Sequence, residues 1–435
     1  MKSYMKPALS AILSLAMLAG CASSTATTAT AAAASAEASA TTEAPVTLEW
    51  WAFPTFGTEG TYEKELIAAF EAKHPNITIN LTTIDFKSGP EALTSAIEGG
   101  TAPDILLDAP GRIVEYGNAG KLVALDDLFT SDFTKDVNND ALIDACKGNG
   151  TAYMYPLSSA PFYMGLNKEM LEKADALQYV NMDGDRTWTT DNFVKMLDAL
   201  QAAGVAQVPG IVYCGGQGGD QGTRALVNNL YSSSIVGTDG KWNIDANGIK
   251  ALTLLQDLVN KKDLDAGMSY VASDELQQFQ AETTAMTFCW GTSNAKNYAS
   301  DAYTAISVPF PSDDGTPALE YLVNGFAIFD NKDSAKADAA KMFIQFACDD
   351  SEWGPKSVVQ TGAFPVRSSF GNLYEGNDEM TLLASWTKYY GPYYNTKANF
   401  SVMRTEWWNL LQRVFQGGDV ATEVAVYNTN SNKAQ

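Results

Sequence analysis

Histidine is almost missing from this sequence: His74 is the only one in 435 residues. A single imidazole excludes a histidine-rich zinc site and an HExxH metallopeptidase motif. His74 itself stands in the run His74-Pro75-Asn76, which stops a helix, and reads as an ordinary surface residue. Cysteine is scarce too. Beyond Cys21 there are Cys146, Cys214, Cys289 and Cys348, far apart and with no CxxC pair, so no metal site is expected. They read as small buried hydrophobes, with Cys214 and Cys289 the pair to consider for a disulfide. Positive charge is in short supply. There are 29 Lys and Arg against 51 Asp and Glu, a net charge of -22, and six of the basic residues are arginines. Such a chain repels nucleic acid and anionic lipid, so neither is an expected partner surface. There is no GxSxG elbow and no P-loop, and no cofactor or catalytic residue is expected. After the first 20 residues no stretch approaches 18 consecutive apolar residues, which leaves no later membrane span.

The amino terminus carries a clear pattern. Lys2 and Lys6 precede an apolar run of 12 residues, Ala8 to Ala19, and the run closes in Leu18-Ala19-Gly20-Cys21. Twelve residues are too few to cross a bilayer as a helix, which needs about 20. The arrangement resembles the lipobox of a bacterial lipoprotein. That resemblance implies a signal peptide over 1–20 and lipidation of Cys21. The protein would then sit on the outer face of the cytoplasmic membrane, extracellular or periplasmic, held by its lipid. Residues 21–45 are nearly all Ala, Ser and Thr after the cysteine. With no large side chain to bury, this stretch reads as a flexible tether.

The folded part spans about 390 residues, long enough for two domains. Its grammar is α/β. Val46 to Trp51 alternates like a strand, and Tyr62, Leu66, Ala69 and Phe70 share a helical face. Ile77 to Leu81 alternates again, a helix through Ala92 to Glu98 ends at Gly99-Gly100, and Asp104 to Leu107 is a short apolar strand. Such repeats predict a parallel sheet with right-handed crossovers. Thr190-Asp191 opens a further helix. Ile211 to Cys214 is a strand, Ser273 reads as a helix N-cap, Ala285 to Trp290 is a buried strand, and Ser334 opens a helix with Ala340, Phe343, Ile344 and Ala347 on one face.

Two loops imitate known chemistry and fall short of it. Gly215 to Gly222 follows a strand, but it lacks the P-loop lysine and the GxGxxG spacing. It reads as a tight turn near a ligand, with Gln217 at its centre. Asn181, Asp183 and Asp185 start like a calcium loop, yet Arg186 stands where glycine is needed. What stands out instead are aromatic and hydrogen-bonding residues at predicted strand ends: Trp50, Trp51 and Phe53, then Asp85 and Phe86, then Asp108 and Arg112, then Phe162 and Tyr163, then Trp290. In open α/β sheets ligands bind beyond the carboxyl ends of strands. Sugars suit this lining, because C–H faces pack on rings while hydroxyls take paired hydrogen bonds.

An ordered set of segments then resembles the sugar-binding, maltose-binding-protein-like class of extracellular (family 1) solute-binding proteins of ABC transporters. The segments are Leu48 to Phe53, Phe70 to Ile77, Gly100 to Ile105, Gly120 to Val123, Tyr155-Pro156 through Lys168, Trp188-Thr189, Ala285 to Thr287, Asn324 to Ile328 and Phe364 to Arg367. The resemblance implies two α/β lobes around a ligand cleft with a multi-crossing hinge. Lobe 1 would hold 46–157 and 310–350, and lobe 2 would hold 158–309 and 351–435. Crossings would fall near Pro156, Val308-Pro309 and Cys348 to Trp353. It also implies ligand contacts from Trp51, Phe53, Asp85, Asp108, Arg112, Ser159, Phe162, Tyr163, Gln217, Trp290 and Asn324. At the first crossing Ser158-Ser159-Ala160 offers a sugar no acidic side chain, unlike maltose-binding protein.

The function implied is a monomeric, lipid-anchored, non-enzymatic receptor that captures an oligosaccharide and hands it to the membrane subunits of an ABC permease. Two other classes stay open on residues alone. One is a surface glycosidase using paired carboxylates. The other is a receptor for a small anion such as a glycerol phosphate.

Overall fold

The computed structural model describes residues 44–57, 60–85, 88–216, 219–298 and 300–433. The proposed signal, Cys21 and most of the tether lie outside the described residues, as do Phe86 and Gln217.

Two sheets organise the described chain. The larger has six strands in the order Phe364–Pro365, Tyr155–Pro161, Tyr321–Ile328, Ile105–Asp108, Val46–Ala52, Ile77–Thr83. Val46–Ala52 pairs in parallel with both Ile77–Thr83 and Ile105–Asp108. The other pairings are antiparallel, so the sheet is mixed rather than wholly parallel. The period of two along the first strand divides its tryptophans between faces. Trp50 is buried against Phe343 and Phe326, at ring separations of 5.1 and 5.9 Å. Phe343 comes from helix Ser334–Asp349, whose predicted face Ala340, Phe343, Ile344 and Ala347 is buried. Trp51 turns the other way, toward the apolar cluster that holds Phe53, Leu93, Leu106 and Ile113.

The second lobe is built differently. Its main sheet has three antiparallel strands, Met286–Trp290, Tyr163–Asn167 and Ala305–Val308. Ile211–Tyr213 forms a separate parallel pair with Asp265–Gly267. Helix Gln221–Leu230 runs through the middle of this lobe and is buried from Gly222 to Leu230. Gly222, in the first turn of this helix, has no room for a side chain. A Cβ on Gly222 would sit 2.1 Å from the Phe288 carbonyl oxygen.

Several expected boundaries move. Helix Trp353–Thr361 packs on helix Ser334–Asp349 and on strand Tyr155–Pro161, and Phe364–Pro365 joins the first sheet. The chain through Pro365 thus packs with the first sheet, past the expected division at 350/351. At the other end, residues 310–320 stay with the second lobe. Pro309 accepts the Trp188 indole N–H at 2.7 Å, and Glu320 takes both Nε and Nη2 of Arg224 at 3.0 and 2.7 Å. The chain re-enters the first sheet only at Tyr321. Ser273 is not an N-cap. The helix starts at Ala272, and the Asp274 carboxylate accepts the Val271 N–H at 3.0 Å. The four later cysteines are free and buried, so no Cys214–Cys289 disulfide forms here.

Candidate functional site

The site begins at the carboxyl end of strand Ile105–Asp108. Pro110 starts helix Pro110–Asn118, and its fixed φ suits the first helical turn. Asp108 and Arg112 are four residues apart, so they meet on one face. The guanidinium gives Nε to Asp108 Oδ2 at 2.7 Å and Nη2 to Oδ1 at 2.8 Å. Asp108 is 3% exposed. Burial pushes its carboxyl up from the ordinary range, and the Arg112 fork pulls it back. The same guanidinium lies 4.5 Å from the ring centre of buried Phe53, a cation–π contact. Phe53, Asp108 and Arg112, predicted separately, are thus one cluster.

The facing wall comes from the second lobe. A Cβ on Gly111 would lie 3.6 Å from the Asn395 carbonyl oxygen, so the two lobes meet at the first turn of helix Pro110–Asn118. Behind Asn395, Arg404 on helix Phe400–Phe415 donates Nε to Asp220 Oδ1 at 2.8 Å. Asp220 also pairs with Arg224, which is fully buried and forks onto Glu320. A buried charge needs a partner of this kind, because its desolvation costs several kcal/mol. Between the walls lies a cavity of about 670 Å³, bordered by Arg112 and Glu115 on one side, Asn395 and Arg404 on the other, and the short strand Lys147–Gly148. That volume falls within the usual range for a small-molecule site.

The remaining predicted residues sit as follows. Trp51 is half-buried, on the same face of its strand as Phe53. Ser159, on crossing strand Tyr155–Pro161, is buried and bonds the Tyr390 hydroxyl at 3.1 Å. Phe162 is half-buried, and its N–H donates to the Glu320 carbonyl at 2.8 Å. Asn324 is half-buried opposite Ser158. None of these four lines the cavity, where Arg112 is the one predicted residue among those described. Asp85, Tyr163 and Trp290 do not line it either. Asp85 is exposed and accepts the N–H and hydroxyl of Ser88, both at 2.7 Å. Tyr163 is buried edge-on to Trp386, 5.3 Å away. Trp290 is 2% exposed, edge-on to Phe279 at 5.3 Å and close over Gly165, so its ring is core and offers no open face. Gln217 lies outside the described residues. Asn181 and Asp183 form a local turn, and Asp185 binds the Tyr389 hydroxyl at 2.8 Å. No metal-holding cluster occurs among the described residues.

Sequence reasoning missed Arg404, Asp220, Glu320 and Asn395. The Asp220–Arg224 spacing of four was readable. The pairing of Asp220 with Arg404, 184 positions away, was not.

The description of a bacterial extracellular solute-binding protein matches residues 56–351, more than half of the chain. The chain belongs to that family. This solute-binding protein is 25% identical over 135 residues to a lipoprotein of Streptomyces antibioticus, a match covering 31% of this chain and 30% of that one. The chain thus spans less than a third of the length of the curated relatives it matches. Among solved structures it is similar to the cyclic α-maltosyl-1,6-maltose binding protein of Arthrobacter globiformis, with a TM-score of 0.72, 19% identity, and coverage of 89% of this chain and 98% of that one. It is also similar to an ABC substrate-binding protein of Listeria monocytogenes solved with cycloalternan, with a TM-score of 0.67, 19% identity, and coverage of 89% and 98%. These similarities establish the two-lobed binding-protein fold. No helix among the described residues is long and apolar enough to cross a membrane.

Proposed function

We propose that this solute-binding protein captures an oligosaccharide between its lobes and delivers it to an ABC-type membrane permease, acting as a monomer held by lipid on Cys21. The observation that carries the reading is the interlobe cavity walled by Arg112, which Asp108 and Phe53 hold from behind, and by Asn395 and Arg404. Guanidinium and amide groups held rigidly by partners present fixed hydrogen-bond donors to sugar hydroxyls. The similar folds named above, one a cyclic maltosyl-maltose binder and one solved with cycloalternan, support the same class of ligand. A ligand touching both walls binds the closed arrangement better and shifts the population toward it.

Binding rather than hydrolysis fits the carboxylates. Asp108 and Asp220 are each tied to arginine and are 3% and 4% exposed. Neither is free to act as the acid or base of a glycosidase pair.

A thermal-shift screen of oligosaccharides tests the reading. A ligand present at about 100 times its Kd raises stability by about 2.7 kcal/mol. One or more oligosaccharides should raise the midpoint and return chemically intact. A shortened product would establish the glycosidase instead, and a screen with no shift would sink the receptor reading. For the anchor, Cys21→Ser should move the protein from the membrane fraction to the soluble one, and unchanged fractionation would refute lipidation.

A further inference from the structure

Resting on the receptor reading above, we infer that the interlobe cavity selects an acidic oligosaccharide, one carrying uronic-acid carboxylates, over a neutral one. The chain is strongly acidic, with a net charge of -22, yet this cavity is lined by Arg112, Lys147, Lys397 and Arg404 against the single acid Glu115. Other cavities follow the average. One of about 320 Å³ beside Tyr155 is lined by Asp127, Asp132, Asp136 and Asp349 against Arg367. Asp108 and Asp220 already face the two arginines, so the positive charge left for a ligand is that of Lys147 and Lys397 against Glu115.

The two arginines have carboxylate partners behind them, which fix their orientation. The two lysines do not: among the described residues neither Lys147 nor Lys397 lies within ion-pair distance of an acid. They stand on opposite lobes. Lys147 is half-buried in the short strand Lys147–Gly148, and Lys397 is exposed just before helix Phe400–Phe415. Arg404 is crowded as well. Burial, followed by the neighbouring charge of Arg224, lowers its guanidinium to about 10, the direction that added negative charge would reverse.

Backbone dipoles point the same way. Helices Pro110–Asn118 and Phe400–Phe415 both begin at the cavity. Neither has a side-chain N-cap, and neither carries an acid in its first turn. Elsewhere the chain supplies such acids, as with Asp378 and Glu379 or Asp274 and Glu275. Asp108 lies before the first of these helix ends, whereas the N-terminus of Phe400–Phe415, beside Lys397, is left open to an anion. A carboxylate on a sugar ring meets these conditions and leaves the hydroxyls for Asn395 and Arg112. The chain's long-range negative field does not oppose this strongly, because charges beyond about 8–10 Å are screened at physiological salt.

Calorimetric titration of the full chain with two oligosaccharide sets tests the inference. One set is neutral, built of gluco- and manno-oligosaccharides. The other is acidic, built of oligogalacturonate, oligomannuronate and hyaluronan fragments, each with its carboxyl-reduced counterpart. The tightest ligand should come from the acidic set and lose at least about tenfold in affinity on carboxyl reduction. Lys147→Met and Lys397→Met should each weaken that ligand about three- to tenfold and weaken the carboxyl-reduced counterpart by a smaller factor. Both lysines lie away from buried pairs, so the variants should keep the wild-type unfolding midpoint. A neutral oligosaccharide as the tightest ligand overturns the inference and leaves the receptor reading standing. So does a uronate ligand indifferent to reduction or to both lysine variants. Equal binding of free galacturonate or inorganic phosphate overturns it in favour of a small-anion site. Failure of every oligosaccharide in both sets removes the receptor reading and this inference with it.

Discussion

Glu275 should make this protein less stable as pH rises through neutrality, and Glu275→Gln should remove that dependence. The side chain is wholly buried. Its Oε1 accepts the Phe288 N–H at 2.8 Å and its Oε2 accepts the Thr287 hydroxyl at 2.6 Å. No Lys, Arg or His pairs with it among the described residues. Burial raises its carboxyl from 4.5 to about 8, and the two hydrogen bonds only partly oppose this. The sign follows from linkage. A carboxyl whose folded value is raised holds its proton longer in the folded state, so stability is fullest below 4.5. It falls between 4.5 and 8 at up to about 1.4 kcal/mol per pH unit. The span of the shift bounds the loss at about 5 kcal/mol. Glutamine copies the protonated acid: its carbonyl can accept from Phe288 and its amide can donate to Thr287. Urea unfolding of the wild type and Glu275→Gln should therefore agree near pH 4.5 and diverge steadily toward pH 8, with the variant more stable. A stability difference that stays constant across this window would refute the argument that Glu275 is folded in its neutral form at the acid end and strained by ionisation at the other.

Arg224→Met should destabilise the second lobe by about 3–5 kcal/mol, because it leaves Asp220 and Glu320 buried with less positive charge to face; denaturant midpoints measure this, and a change under about 1 kcal/mol would contradict it. Gly222→Ala should cost on the order of 1–3 kcal/mol or prevent folding, since its Cβ would fall 2.1 Å from the Phe288 carbonyl oxygen; thermal unfolding checks it, and a wild-type midpoint would refute so close a packing of helix Gln221–Leu230 on strand Met286–Trp290. Phe53→Ala should lower stability by about 3–5 kcal/mol and also weaken oligosaccharide binding, because the ring both fills the core and supports Arg112; titration under conditions where the variant stays folded separates the two effects.

Much of this protein was determined by local sequence. Alternation from Val46 and from Ile77 gave true strands, and the stripe Ala340, Phe343, Ile344 and Ala347 is the buried face of its helix. Side-chain period follows from backbone geometry alone, so these features need no knowledge of neighbours. The fork between Asp108 and Arg112 was readable for the same reason, a spacing of four across a strand-to-helix turn. Tertiary structure decided the rest. Trp51 and Trp290 look alike in sequence, each at the end of an apolar strand, yet Trp51 is half-buried while Phe279 and Gly165 close over Trp290. The second wall of the cavity depends on Arg404 finding Asp220 and on Arg224 finding Glu320, partners 184 and 96 positions apart. Burial and ion pairing are properties of what lies across a contact, and the elements that meet there come from distant parts of the chain. Periodicity says which way a side chain points along its own element; only the packing of one element on another determines what it meets.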